Sequence, residues 1–335
     1  MQKTTLALKN KTSILLFVSL IMGLQCCQSV TGSRTIKLAH GLNESHPVHK
    51  GMLEMGDLLT EVSGGKMKLD IYANGQLGQE RDLLELLQIG SLDMTKVSAG
   101  ALENFVPEFK VLTLPYLFTD SAHTWSVLQG KIGKKLLAKG ENYWLRGLCF
   151  YDAGSRSFYS KEAPIAQPSD LNGLKVRVMN SQTAFDMVNA LGGSPTPVSW
   201  GELYTALQQG VVDAAENNAP SFYTSRHYEV CKFYSIDQHT TIPDVLIVST
   251  YLWNDLSDQE RQWLQQAADL SVERQKKIWA ASVQESLDVV KKAGVQITYP
   301  DKSPFQDKVA GLYDQFKNNP ELFDLIQDIQ NIAKP

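Results

Sequence analysis

The sequence is poor in the patterns that carry covalent chemistry. It has no Gly-x-Ser-x-Gly elbow, no His-Glu-x-x-His helix, no Gly-x-Gly-x-x-Gly turn and no P-loop. Those absences remove the commonest signatures of hydrolases, zinc peptidases, dinucleotide enzymes and NTPases. Cysteine is scarce: of four, two lie near the N-terminus, and none forms a Cys-x-x-Cys or Cys/His cluster of zinc-binding spacing. Cys149 in "GLCFY" and Cys231 in "HYEVCKFY" read as two buried free thiols. His40 and His46 are close in sequence but lack a third spaced ligand, so no metal is expected, and nothing calls for a cofactor. There is also no basic excess. A formal net charge of −4 argues against a nucleic-acid partner, yet leaves room for a small anion, which needs only local positive charge.

Long apolar runs are absent as well, except at the start. Lys3, Lys9 and Lys11 precede "SILLFVSLIMGL", a run too short to span a bilayer, which needs ~20 residues. A basic flank before such a run marks a secretory signal peptide over 1–26 and places the mature chain outside the cytoplasm, in the periplasm. Leu24 stands three residues before Cys27, as in a lipoprotein cleavage box, but Gln25 and Cys26 are not its usual small residues. Two readings stay open there: a lipid anchor at Cys27, or simple cleavage.

What is present is a repeated alternation of strand and helix patterns. "TIKLAH", "KMKLDIYA" and "SLDMTKVS" read as strands, separated by helices over 47–65 and 79–90. Such a β-α-β-α-β series implies a largely parallel sheet. It recurs after residue 170, where "LKVRVM", "TPV" and "VVDAAENN" are strands and Ser199 with Glu202 forms a capping box for a helix over 200–209. The halves overlay: "LLQIGSLDMTKVS" (86–98) matches "ALQQGVVDAAENN" (206–218), with Gln88/Gln208, Gly90/Gly210 and Asp93/Asp213 in register. The pattern predicts two pseudo-symmetric α/β lobes, with Lys96 and Ser98 opposite Glu216 and Asn218 at strand carboxyl ends. In open α/β sheets that edge takes ligands. A further helix, 257–293, begins at the Ser257/Glu260 capping box and stops at Gly294; at ~1.5 Å per residue it is longer than one lobe and reads as a brace across both.

Several charged and polar residues fall at this edge or in the loops beyond it: His40, Glu80, Lys96, Arg156 in "YDAGSRSFY", Arg177 in "LKVRV", Asn217 and His239. Singly, each fits an exposed surface residue, and Lys175 is expected to be one; together they mark one edge of two similar lobes.

The segments "DLNGLKVRV", "GELYTALQQGVVDAAENN" and "YDAGSRSFY" resemble the substrate-binding proteins of tripartite ATP-independent periplasmic (TRAP) transporters, the DctP-like family, over about residues 35–330. The resemblance implies a two-lobed periplasmic-binding-protein fold with a hinge and a long lobe-spanning helix. It implies lobe I at 33–153 and 244–281, lobe II at 154–243 and 282–335, and hinges near Tyr151–Gly154 and Asp244–Ser249. It implies a protein that catalyses nothing and passes an organic acid to a membrane permease. Arg177 matches the family's carboxylate clamp, Arg156 a second basic position and Asn217 the polar residue across the pocket. "AHGLNESHPVHKG", "LGQERDLLE", "DMTKVSAG" and "HTTIPDVLIVS" resemble members that bind hexuronates such as D-glucuronate and D-galacturonate, which adds His40, Glu80, Lys96 and His239. Ser98 falls at the acidic pocket position of the sialic-acid branch and so speaks against that ligand. Alternatives are a receptor module presenting the ligand to a sensor, a binder of an aldonate, dicarboxylate or sialic acid, and an enzyme on the same fold.

Overall fold

The computed structural model describes residues 32–332; the N-terminal segment with Cys26 and Cys27 lies outside them. Among the described residues, no helix is long and apolar enough to cross a membrane.

The strands run in chain order as β1 (Arg34–Ala39), β2 (Met67–Tyr72), β3 (Met94–Ser98), β4 (Leu145–Tyr151), β5 (Ser155–Ser160), β6 (Lys175–Val178), β7 (Ser194–Pro197), β8 (Ala214–Asn217), β9 (Phe233–Thr241), β10 (Asp244–Ser249) and β11 (Gln296–Thr298). They form a five-stranded sheet, β2-β1-β3-β10-β4, and a six-stranded sheet, β11-β9-β5-β8-β6-β7. Each sheet is mixed rather than wholly parallel. In the first, β10 is antiparallel to both β3 and β4; in the second, β5 is antiparallel to both β8 and β9. These two strands are the ones entered on crossing between the lobes. Each arrives from the other lobe and so enters from the cleft end, against the run of its neighbours.

The crossings lie at 152–154, between β4 and β5, and at Ile242–Pro243, between β9 and β10. Asp244–Ser249, expected to flex, is instead a strand paired on both sides.

The internal duplication is physical. Asp93 and Asp213 each receive a backbone N–H at 2.9 Å, from Lys37 and Lys175, at the start of the strand each sits beside. Gly90 and Gly210 both hold φ near +70° (72° and 74°), a left-handed turn that glycine enters without a Cβ penalty. Ser98, the last residue of β3, and Asn218, the first after β8, each cap the short helix that follows, by accepting from Gly100 and Ser221 N–H.

The long helix, Asp258–Lys292, has the expected capping box, with Ser257 and Glu260 reciprocally bonded. Leu264, Ala267, Ala268, Val272 and Trp279 enter one apolar core, and Val290 enters the other. At 35 residues it extends roughly 50 Å. Gly51, in the helix Pro47–Val62, lets this helix approach closely: a Cβ there would lie 2.5 Å from Gln275 Cγ. At Ser199 the expected capping box does not form. Ser199 Oγ bonds the Glu202 carboxylate at 2.6 Å and the first turn, Trp200–Glu202, is a 3-10 turn. The C-terminal segment, expected within lobe II, instead packs on the first lobe from Tyr313 onward, with Tyr313 donating to Pro115 O at 2.8 Å and His123 to Ile329 O at 2.8 Å. Cys149 and Cys231 are buried and free.

Candidate functional site

The carboxyl ends of β3, β6 and β8 meet the two crossings in a cavity between the lobes. Glu80, Lys96, Arg156, Arg177 and Asn217 all line it, so the structure brings five of the seven expected residues together. Gln79, His46, Trp200, Ser221, Asn218 and Asp244 line it too.

Arg177 shares a strand face with Lys175, two residues apart. Lys175 is exposed, whereas Arg177, nearer the carboxyl end of the strand and in the cavity wall, is 3% exposed. Its Nε donates to Val198 O at 2.9 Å, and its guanidinium lies 5.6 Å from the Trp200 ring. No carboxylate pairs with it among the described residues. Burial pulls it below the ordinary arginine value.

The other cations are compensated. Lys96 donates to Asp244 Oδ1 at 3.2 Å and to Glu80 Oε1 at 3.3 Å. Burial alone would lower its pKa; Asp244 and Glu80 outweigh that and raise it. Glu80 also accepts the Ser98 N–H at 2.8 Å, so one carboxylate ties the helix Glu80–Gln88 to the end of β3. Arg156 is held by Glu216 through both carboxylate oxygens and the backbone oxygen, and donates to Asn217 Oδ1 at 2.9 Å. Against the cost of burial, Arg156 holds Glu216 down at about 2.

His40 and His239, the remaining two, do not line the cavity. Both are fully buried behind it. His239 bridges Asp237 Oδ2 at 2.8 Å and Glu216 Oε2 at 3.4 Å; these carboxylates overcome burial and raise it to about 9, so it is an imidazolium bracing the Arg156–Glu216 pair. His40 accepts the Leu42 N–H at Nδ1, so its neutral ring donates from Nε2 to His49 at 3.0 Å. Burial lowers it to about 3. Its work is to shape the loop that carries Gly41 and Leu42 into the wall.

His46 is the histidine that faces the cavity. It caps the helix Pro47–Val62 by accepting from Val48 N–H, and burial keeps it well below its ordinary value. The neutral ring therefore donates from Nε2 across the cleft to Ser221 Oγ at 3.0 Å, which frees the Ser221 proton for an acceptor in the cavity. Its position just before a Pro-initiated helix was a readable capping signal. Asn217 and Asn218 both reach the wall. Asn217 Oδ1 accepts from Arg156 and from Asn218 N–H, leaving its amide nitrogen toward the cavity. Asn218 is fully engaged, accepting from Ser221 N–H and donating to Ala153 O at 2.9 Å.

The lobes are in direct contact across the cleft. Asn43 donates to Thr224 O at 2.9 Å, Gly201 N–H to Gln79 Oε1 at 3.3 Å, and Thr183 N–H to Glu103 Oε1 at 3.1 Å. The site is thus seen in a closed arrangement. Among the described residues, no group of His, Cys, Asp and Glu is arranged to hold a metal ion.

The profile of bacterial extracellular solute-binding proteins, family 7, matches residues 38–319. A solute-binding protein of Chromohalobacter salexigens is 36% identical over 289 residues, 86% of each chain. A TRAP periplasmic solute-binding protein from a Bradyrhizobium species, solved with α/β-D-galacturonate, superposes with a TM-score of 0.87 at 41% identity, covering 89% of this chain and all of that one. One from Roseobacter denitrificans, solved with β-D-glucuronate, gives 0.86 at 36% identity, with 89% and 100% covered.

Proposed function

The chain belongs to the bacterial extracellular solute-binding proteins of family 7, and from that premise we propose that it captures a hexuronate, D-glucuronate or D-galacturonate, outside the cytoplasm and delivers it to a TRAP permease in the membrane. The observation that carries this reading is Arg177: a buried guanidinium in the cavity wall, with one protein acceptor at Nε and no carboxylate partner among the described residues. A buried charge needs a counter-charge, and the terminal nitrogens of a guanidinium match a carboxylate in a two-bond fork.

The rest of the wall suits hydroxyls. Asn217 and Ser221 offer N–H and O–H donors, while Glu80 and Asp244, whose Oε1 and Oδ1 hold Lys96, offer their second oxygens as acceptors. A dicarboxylate would bring its second charge toward Glu80 or Asp244. One carboxylate with a ring of hydroxyls meets the whole wall. Arg156, itself in the wall, fixes Asn217 and Glu216, and His239 braces Glu216 from behind.

The test is a thermal-shift panel of hexuronates, aldonates, C4-dicarboxylates and sialic acid. A ligand at 100 times its Kd stabilises a protein it binds only when folded by about 2.7 kcal/mol. The expected responders are D-glucuronate and D-galacturonate. A response to dicarboxylates alone would overturn the sugar-acid assignment.

A further inference from the structure

The cavity is not closed on all sides. Beyond Trp200 the cleft widens into a vestibule of about 760 Å³, a volume typical of small-molecule sites. The two spaces share Gln79, Glu80, Arg177, Met179 and Trp200, so the clamp arginine borders both. The vestibule's own walls come from both lobes: Phe105 and Asn104 on one side, Asn180 and Pro197 on the other. Two cross-cleft hydrogen bonds frame it in the closed form, Gly201 N–H to Gln79 and Asn104 Nδ2 to Asn180 O at 2.6 Å.

A lone hexuronate held at Arg177 leaves this space unused. Its walls are the kind that bind sugars. Phe105 and Trp200 supply aromatic surface for an apolar sugar face, and Asn104 and Asn180 supply amides for hydroxyls. Beyond Glu80 and Arg177, which it shares with the inner cavity, its charged groups are Arg81, already paired with Glu85, and the carboxylates of Asp82 and Glu202; with Arg177 taken by the uronate, these carboxylates disfavour a second anion. We propose that the vestibule is a second sugar subsite, and that the protein accepts aldobiouronic acids, in which a hexuronate is linked to a neutral sugar. The inference rests on the sugar-acid reading above: the uronate occupies the inner cavity and the neutral sugar lies between Phe105 and Asn180.

Calorimetric titration tests it with four probes: D-glucuronate, D-galacturonate, glucuronosyl-xylose and galacturonosyl-rhamnose. At least one disaccharide is expected to bind within about tenfold of its parent monosaccharide, a difference of no more than about one contact's worth of free energy. Asn180→Trp, at an exposed position, fills the vestibule without removing a packed side chain. It should weaken the disaccharide at least about tenfold and leave the monosaccharide within about twofold, differences that titration resolves. Phe105→Ala should act in the same direction. Monosaccharide binding with no heat from either disaccharide overturns the subsite, as does an equal loss for both sugars in Asn180→Trp. Silence from all four probes overturns the sugar-acid reading and this inference with it.

Discussion

At the scale of single residues, the sequence shows which side chains carry charge but not which are covered. Arg177 and Lys175 obey the same period-two pattern, yet Lys175 is exposed and Arg177 is buried in the cavity wall. His40 and His239 sit at the expected edge in sequence, yet both are buried outside the cavity lining, a placement that is three-dimensional and leaves no mark on periodicity. Adjacent strand residues face opposite ways, so an unbroken strand would turn only one of Asn217 and Asn218 to the cavity. The strand ends at Asn217, so Asn218 caps the next helix and both line the wall. Their roles still differ. Asn217→Ala should keep the fold and lose roughly 1–3 kcal/mol of ligand binding, the cost of an unpaired buried partner. Asn218→Ala should lower the melting temperature first, because it removes a helix cap worth about 1 kcal/mol and the tie to Ala153. An Asn218 variant that melts like the parent but binds poorly would contradict this division. The buried histidines also set a pH dependence. His40, lowered to about 3, takes up a proton on unfolding between pH 3 and 6.5, so stability is lost as pH falls through that window. His239, raised to about 9, is protonated when folded and neutral when unfolded between 6.5 and 9. Its contribution is complete below 6.5 and is lost as pH rises toward 9. Melting temperature should therefore peak near neutral pH, and His239→Asn should flatten the alkaline limb. An unchanged alkaline limb would count against a charged His239.

At the scale of elements, the duplicated strand-helix units and the long helix were legible because each rests on local signals: glycine stops, capping residues and apolar spacing. The antiparallel setting of β5 and β10 was not, since strand periodicity says nothing about the neighbour or its direction. The long helix is more than a brace. Gln275, fully buried, accepts the Asp152 N–H and donates to Asp152 O, both at 2.8 Å, so it pairs the first crossing as a strand would. One residue pair beyond, Gly154 turns at φ +57° against the Trp279 indole, where a Cβ would meet Nε1 at 3.1 Å. The crossing is thereby fastened to the helix that spans both cores. Gln275→Leu should cost about 1–3 kcal/mol, since it leaves both Asp152 backbone groups unpaired, and hydrogen exchange at 152–154 should rise. Protection unchanged from the parent would show that the helix does not hold the crossing.

At the scale of the whole molecule, two similar lobes place their strand ends face to face, and of the three buried cations in the cavity wall Lys96 and Arg156 are paired with carboxylates while Arg177, among the described residues, is not. That exception gives the closed form a reason to wait for an anion. The overlay of the two halves located the binding edge, but the contacts that close the cleft, among them His46 to Ser221 and Gln79 to Gly201, join residues far apart in sequence with no local pattern. The most direct measurement is calorimetric titration of D-glucuronate and D-galacturonate into the parent, Arg177→Lys and Arg177→Ala, after circular dichroism has shown that the variants fold. Arg177→Lys should keep the charge but lose much of the affinity, because a single ammonium cannot form the two-bond fork. Arg177→Ala should lose about 2–5 kcal/mol, the range for truncating one member of a buried charge pair. Lys175→Ala, as the exposed neighbour, should bind like the parent. A folded Arg177→Ala that binds the hexuronate as tightly as the parent would contradict the account at its centre.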